Sequence, residues 1–386
     1  MSEEGARILL VTRNFPPLRG GMERLNQRLL QGLAVHHPVF LVGPDGCGAH
    51  ARAASGVQTV PAAPLWRFLP ACLLAALRSA SRHGPDIVLA GSGLTAPIAW
   101  LAARRAGGRS AVYLHGLDII APSAVYQALW LPMIRRCDRV IVNSRNTRDL
   151  AVARGVPAER VCVVHPGTDL PMADPSARRR FREIHRLGEA PVLLSVGRLT
   201  ARKGLVEFVR EVFPLVLQRH PDTRLVVVGD DPVDALHGGG AGGRRALEAS
   251  AEQVGVRHAL LCLGTCSDGE LSDAYSGADV HVFPVRSTPG DVEGFGMVAI
   301  EAAAHGVPTV AYAVGGVSDA VADGQSGTLV APNDGHAFAA AVLEWLAHGS
   351  QAAAGCRRFA SGFSWARFDS ELREALAITA SARQRA

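Results

Sequence analysis

An α/β protein of two doubly wound domains is the fold class this sequence predicts, and three observations predict it. Short apolar runs rich in Val, Ile and Leu recur without polar alternation, the pattern of strands buried on both faces of a parallel sheet. Helical stretches separate them, so each strand is followed by a crossover and not by a tight turn. The pattern runs once, stops in a proline-containing basic stretch, and starts again. At 386 residues the chain is long enough for two domains that each bury a core.

In order, the first block holds ILLVT (8–12), VFLV (39–42), IVLAG (87–91), SAVYLHG (110–116) and RVIVNS (139–144). A helix is expected over 22–33. Residues 65–77 (LWRFLPACLLAAL), interrupted by Arg67 and Pro70, read either as a helix packed on the sheet or as one lying at a membrane interface. The boundary falls between Thr168 and Pro191, where PGTDLPMADPSARRR carries prolines and charges but no core-like strand. It divides a first domain (1–170) from a second (171–366). The second block holds VLLSVGR (192–198), RLVVVGD (224–230), ALLCLG (259–264), DVHVFP (279–284), PTVAY (308–312) and GTLVAP (327–332). Within it the glycine-rich run 236–245 reads as a loop, since consecutive glycines make a helix entropically expensive. Residues 369–378 read as an amphipathic helix. In such sheets ligands bind beyond the carboxyl ends of the strands, so the cleft between the domains is the expected site.

Composition narrows the function classes. No apolar run reaches the ~18 residues that span a bilayer, and acidic residues before the first apolar run argue against a secretory signal. The seven cysteines are scattered, and Cys262 and Cys266 have no matching second pair, so reduced thiols in a cytoplasmic compartment are expected and a zinc site is not. The formal charge of +5 suits anionic small molecules or an anionic membrane surface. Nucleic acid is not expected as a partner, because no aromatic stacking pattern accompanies the basic residues. The arginines at 178, 179, 180, 182 and 186 read as a solvated helix face.

Four constellations carry chemistry. In DVEGFGMVAIEAAAHGVP, Glu293 sits on a glycine-flanked loop and Glu301 eight positions later inside an apolar, alanine-rich helix. A helix starting near Gly296 offers free N–H groups to an anion such as phosphate. The two carboxylates then accept hydroxyls on either side of it, the layout of a sugar nucleotide. In VGRLTARKG, Arg198 and Lys203 follow a strand, where two fixed positive charges neutralise a diphosphate leaving group. At the end of the first strand Gly20 and Gly21 precede a helix, so the main chain is open to close approach by a ligand. A plain turn is the competing reading. His115, in HGLD after the fourth run, reads equally as a sugar contact or as a satisfied structural histidine.

These elements together resemble glycosyltransferase family 4, retaining sugar-nucleotide-dependent enzymes of the GT-B fold. The resemblance rests on Gly20-Gly21, HGLD, GRLTARKG, VVVGD, LSDAYSGADVHVFP and E-x7-E with its EAxAxGxPxV context. It implies two Rossmann-like domains facing each other across a cleft, the first for the acceptor and the second for the donor. The tail FSWARF and its helix look like the family's closing segment, with 367–386 packing back on the first domain. Arg198 and Lys203 are implied at the diphosphate and Glu301 at the ribose. Glu293 falls to the transferred sugar, helped by backbone N–H groups of Phe295, Gly296 and Met297. Gly20-Gly21 belong near the phosphate or acceptor, and His115 near the sugar. Where the family often has V-G-x-G-P, this chain has Val228-Gly229-Asp230-Asp231-Pro232.

The expected reaction is hexose transfer with retention by a front-face route, without metal or other cofactor. The acceptor is a glycan or lipid-linked molecule. The run TPGDVEGFG resembles mannosyltransferases of the family, including those acting on phosphoinositides, which favours GDP-mannose and leaves UDP-glucose open. Residues 65–77 and the positive charge extend the expectation to peripheral binding on the inner face of a membrane. A GT-B sugar-nucleotide epimerase and a non-catalytic nucleotide-sugar-binding protein are the rival readings. A dehydrogenase is disfavoured by the absence of G-x-G-x-x-G spacing.

Overall fold

The computed structural model describes residues 5–172, 174–231, 242–288 and 290–377. Two compact units divide the chain: one runs to Gly167 and resumes at Trp365, and the other is Thr168–Ser364.

The first unit is a seven-stranded sheet of β1 (Ile8–Val11), β2 (Val39–Pro44), β3 (Gly56–Val60), β4 (Ile87–Ala90), β5 (Arg109–Leu114), β6 (Arg139–Val142) and β7 (Val161–Val163). All strands pair in parallel, in the order β3-β2-β1-β4-β5-β6-β7. Successive side chains of a strand point to opposite faces, and β1 shows it: Ile8 and Leu10 join one core, Leu9 and Val11 another. The first core is closed by α1 (Gly21–Ala34) and by a late helix, while the second is closed by α2 (Leu65–His83), α3 (Ala96–Ala106), the short α4 (Leu117–Ile120), α5 (Ala124–Arg136) and α6 (Arg145–Ala153).

The second unit is a six-stranded sheet of β8 (Val192–Val196), β9 (Arg224–Val228), β10 (Leu260–Gly264), β11 (Val280–Phe283), β12 (Thr309–Tyr312) and β13 (Gly327–Val330), again parallel, in the order β10-β9-β8-β11-β12-β13. Its helices are α7 (Ala177–Ile184), α8 (Leu205–Glu207), α9 (Phe213–Arg219), α10 (Gly243–Gln253), α11 (Asp268–Gly277), α12 (Met297–Ala304), α13 (Val317–Ala320) and α14 (Gly335–Ser361). The late helix of the first unit is α15 (Trp365–Ala375).

Both sheets share the order 3-2-1-4-5-6 of a doubly wound fold. The winding reverses between β1 and β4 in one unit and between β8 and β11 in the other. At a reversal the loops leaving two adjacent strands run to opposite faces and leave a crevice. Each unit therefore has one crevice, placed by topology alone.

Eleven of the strands lie where apolar runs were read, and β3 and β7 are additional. Both are edge strands in which exposed or half-exposed residues interrupt the apolar signal. The stretch at 65–77 is a helix packed on the sheet: Phe68, Cys72 and Ala76 are fully buried, while Trp66 and Leu74 remain on its outer face. The last helix begins at Trp365, four residues before the expected start. The glycine-rich run lies outside the described residues as far as Ala241, and its end, expected to be loop, is the first turn of α10. That turn is held by Asp231, which accepts from the N–H groups of Gly242 (2.8 Å) and Arg244 (3.1 Å).

The arginine cluster is a solvated face only in part: Arg179 and Arg186 are exposed, Arg178 and Arg180 are exposed but ion-paired, and Arg182 is buried. Arg180 bonds Asp273 (2.5 Å) and Asp174 (3.1 Å), and Arg178 and Arg182 share Asp279 at 2.6 and 2.8 Å. Buried Arg182 also donates to the carbonyls of Gly277, Gly188 and Ala190. These arginines join α7 to α11 and are committed to the fold.

Candidate active site

In the crevice of the second unit, β8 runs into Gly197 and Arg198 and then a single 3-10 turn, Ala201–Lys203. Gly204 ends the turn at φ 65°, where a Cβ would lie 2.1 Å from the carbonyl oxygen of Pro284. The Arg202 carbonyl accepts the N–H of Arg286 at 2.8 Å. The turn is thus fastened, through backbone, to the segment leaving β11. That contact leaves room for no side chain at position 204 and sets where residues 202 and 203 point.

Both point at Glu293. The Lys203 ammonium donates to Glu293 Oε2 at 2.7 Å, Arg202 Nη1 donates to the same oxygen, and Arg202 Nε lies 3.0 Å from Asp291 Oδ1. Lys203 also rests over the ring of Phe283, 4.6 Å from its centre. Burial alone would raise the Glu293 carboxyl, but Lys203 and Arg202 overcome it and hold the group down at about 2. Burial lowers the Lys203 ammonium, against the pull of Glu293, and Arg202 adds to the lowering. Arg198 is exposed and close enough to act on Lys203 electrostatically. The carbonyl of Glu293 accepts the N–H of Gly316 at 2.9 Å, which ties the carboxylate loop to the segment after β12.

Helix α12 starts where the spacing placed it, with Gly296 before it at φ 99°. A Cβ there would sit 2.9 Å from the Phe283 ring. Among the described residues no side chain caps α12, so its first N–H groups stay open to an anion. Phe295 is buried in the core, and Met297 is half-buried. Glu301 is buried one turn further on and accepts from the Tyr275 hydroxyl at 3.0 Å. The Tyr275 ring stacks on His305, whose Nδ1 bonds the Glu301 carbonyl (2.8 Å) and whose Nε2 bonds Ser272 (3.0 Å). Burial and then Arg357 depress the His305 imidazole to about 4, so it is a neutral brace for this helix.

In the first unit, Gly20 precedes α1 in an extended conformation, and a Cβ on it would meet the Glu23 carboxylate at 2.3 Å. Glu23 is held by the Asn14 amide (2.8 Å). Buried Asn26 donates to the carbonyls of Asn14 (2.9 Å) and Gly91 (3.2 Å) and so bridges the exits of β1 and β4. His115, after β5, uses Nε2 to donate to the Gly91 carbonyl at 2.9 Å, and its N–H donates to Asp118 at 2.9 Å. His115 is therefore satisfied through Nε2, leaving Nδ1 as the acceptor side of that tautomer.

The structure thus joins Lys203 with Glu293 directly, and places Gly296, Met297 and Glu301 on one helix. It gathers Gly20, Gly21 and His115 around the strand exits of the other sheet. Sequence reasoning missed Arg202, Asp291, Tyr275, His305, Asn26 and Gly91. Arg202 and Asp291 had a readable signal, as charges flanking the two motifs. Among the described residues no group of three His, Cys, Asp or Glu is arranged to hold a metal ion, and none of their helices is long and apolar enough to cross a membrane.

Comparison with known proteins places this geometry. The profile of the family described as "Glycosyltransferase Family 4" matches residues 19–171, and that described as "Glycosyl transferases group 1" matches residues 177–359. A GDP-mannose-dependent alpha-(1-6)-phosphatidylinositol monomannoside mannosyltransferase from Mycolicibacterium smegmatis is 34% identical over 367 residues, covering 90% of this chain and 91% of that protein. The chain belongs to glycosyltransferase family 4. This glycosyltransferase is also 37% identical over 243 residues to a D-inositol 3-phosphate glycosyltransferase from Geodermatophilus obscurus, 61% of this chain and 51% of that protein. Among solved structures, Anabaena HepE in complex with UDP and glucose matches with a TM-score of 0.79 at 20% identity, over 97% of this chain and 100% of that one, a likeness of fold. The fold is GT-B, and the glycosyltransferase moves a sugar from a nucleotide-sugar donor to an acceptor.

Proposed function

We propose that this glycosyltransferase takes mannose from GDP-mannose and passes it, with retention and without a metal ion, to a lipid-linked acceptor. The observation that carries the donor half is the cluster of Lys203, Arg202 and Glu293 beside the open N-terminus of α12. Arg198, Lys203 and the α12 N–H groups neutralise the diphosphate as it departs, which is stabilisation placed where negative charge develops. Glu293 orients the hydroxyls of the moving sugar, and Glu301, braced by Tyr275, receives the ribose. The anomeric carbon–phosphate oxygen bond breaks, the acceptor oxygen bonds the same face, and its proton passes to the departing phosphate. Neither glutamate acts as acid, base or nucleophile. His115 shapes the sugar site, and the Gly20-Gly21 backbone lies near the phosphate or the acceptor.

Mannose is favoured by the mannosyltransferase from Mycolicibacterium smegmatis, similar over nine-tenths of this chain. The test is thermal shift with a panel of nucleoside diphosphates, followed by turnover of the matching sugar nucleotides. A ligand of the native state raises the melting temperature according to its affinity. GDP is expected to give the largest shift, and preference for UDP would remove GDP-mannose.

The lipid half rests on the outer faces of α2, α3 and α5. These helices pack side by side and hold 19, 11 and 13 residues, with seven arginines and no acidic residue. Trp66, Val125 and Leu129 are each more than half exposed there. Arginines beside exposed aromatic and aliphatic groups fit an anionic bilayer surface. Flotation with vesicles of phosphatidylglycerol and phosphatidylcholine is expected to recover the protein at low salt, and Trp66→Glu with Leu129→Glu to abolish it. No flotation of the parent protein would overturn this half.

A further inference from the structure

The cluster at Glu293 contains one more cation than donor neutralisation needs. Lys203 and Arg202 both bond the same oxygen, Oε2, of a carboxylate that is largely buried. Their neighbours differ. Lys203 feels the charge of Arg198, which is exposed. Arg202 is bound on its far side to Asp291, and its carbonyl is fixed by the N–H of Arg286.

We propose that Arg202 is a positioning residue, which keeps the Glu293 carboxylate in place when Lys203 turns to the donor's diphosphate. This rests on the donor-site reading given above. Without donor, Glu293 serves as internal counter-ion to both cations. A bound diphosphate draws Lys203 away, and a carboxylate with little access to water is then left one partner short. A buried charge that loses its partner is strongly disfavoured, and the loop would swing or take up a proton. Arg202 prevents both, because its guanidinium donates to Glu293 through Nη1 while Nε stays ion-paired with Asp291 at 3.0 Å. The charged groups facing Glu293 are Arg202 and Lys203 from the turn after β8 and Asp291 from its own loop. Arg198 and His281 act at one remove, through Lys203. The segment Ala313–Val314–Gly315–Gly316, packed on the same loop, contributes no charge.

The experiment compares wild type, Arg202→Gln, Arg202→Lys and Lys203→Ala for donor kcat/KM against pH, for nucleoside diphosphate affinity by calorimetry, and for melting temperature. Arg202→Gln is expected to lower kcat/KM by ~10²-fold, the scale of a misplaced reacting group. Its acid limb is expected to move up by at least one pH unit, since the Glu293 carboxyl loses a cation, while diphosphate affinity stays within a few-fold of wild type. Arg202→Lys restores the charge without the fork and should recover the pH profile but only part of the rate. Loss of diphosphate affinity in Arg202→Gln would make Arg202 a phosphate ligand and overturn the proposal. So would a wild-type rate and pH profile in that variant. If Lys203→Ala retains full activity, the donor-site reading itself fails; if it is inactive and Arg202→Gln behaves as wild type, only the positioning role fails. Should the Gln variant not fold, the pH profile of the Lys variant decides, and a rate and profile equal to wild type would overturn the role of the fork.

Discussion

The two crevices are made by the same topology and filled with opposite chemistry. In the second unit the loops after β8 and β11 bring together Arg202, Lys203, Asp291 and Glu293, with Arg198 at the edge. In the first unit the loops after β1, β4 and β5, with Asn26 of α1, bring together Asn14, His115 and the Gly91 carbonyl, and Gly20 and Gly21 lie beside them. Cations and carboxylates pair in one, while neutral amides and carbonyls line much of the other, where Glu23 is taken by the Asn14 amide and Asp118 by the His115 N–H. A strand-order reversal supplies a place and no specificity. What the place binds is decided by whether its loops carry ions, and an anionic donor calls for the charged version.

That contrast predicts unequal losses. Lys203→Ala is expected to cut steady-state turnover ~10²–10³-fold, as loss of a donor aimed at developing charge does. His115→Ala should cost much less, because its ring is spent on the Gly91 carbonyl. Equal losses in a side-by-side assay would break the distinction between the two crevices. The glycines are the next comparison. Gly204→Ala meets a backbone carbonyl at 2.1 Å and a left-handed φ of 65°. The backbone conformation alone costs ~1–2 kcal/mol, and a drop of ~2–8 °C in melting temperature is expected. Gly20→Ala meets the movable end of Glu23 in an extended conformation and should shift it by less than ~2 °C.

The smallest effect is on acid stability. Glu293 is depressed from an unfolded value of ~4.3 to about 2. Its contribution to the second unit is therefore complete above ~4.3 and is lost as pH falls through about 2. Glu293→Gln should flatten the decline in melting temperature between about pH 4 and pH 2, and an unchanged decline would show that other carboxylates govern it.

The same contrast explains how much could be read beforehand. Strands such as LLVT or VVV declare themselves because both faces are buried, whereas β3 and β7 are edge strands whose exposed or half-exposed positions blur the signal. Glu293, Lys203 and Glu301 were legible because charge at the end of an apolar run is conspicuous and their spacing fixes a loop and a helix. Asn26 was not, since an asparagine inside an amphipathic helix has no spacing that marks it as the bridge between two strand exits. Arg202 stood beside Lys203 in plain sight, but adjacency along a chain does not say that both cations turn inward onto one carboxylate. The arginines of α7 misled for a related reason: their partners, Asp273 and Asp279, lie about a hundred residues away. Asp231 occupies a position where glycine is usual in the family, and its carboxylate is engaged by the start of α10.

Helix α15 has a consequence in time. Its Phe368 and Leu372 fill the same core as Leu29 and Leu33 of α1, and Arg28 lies over the Trp365 ring. The polypeptide leaves that unit at Gly167 and returns at Trp365, so all of Thr168–Ser364 is synthesised in between. At roughly 5–20 residues per second this interval is about 10 to 40 s, during which one side of α1 has no cover. The unit begun first on the ribosome is completed only after the other has been made, so a nascent chain exposes that apolar side of α1 until α15 emerges.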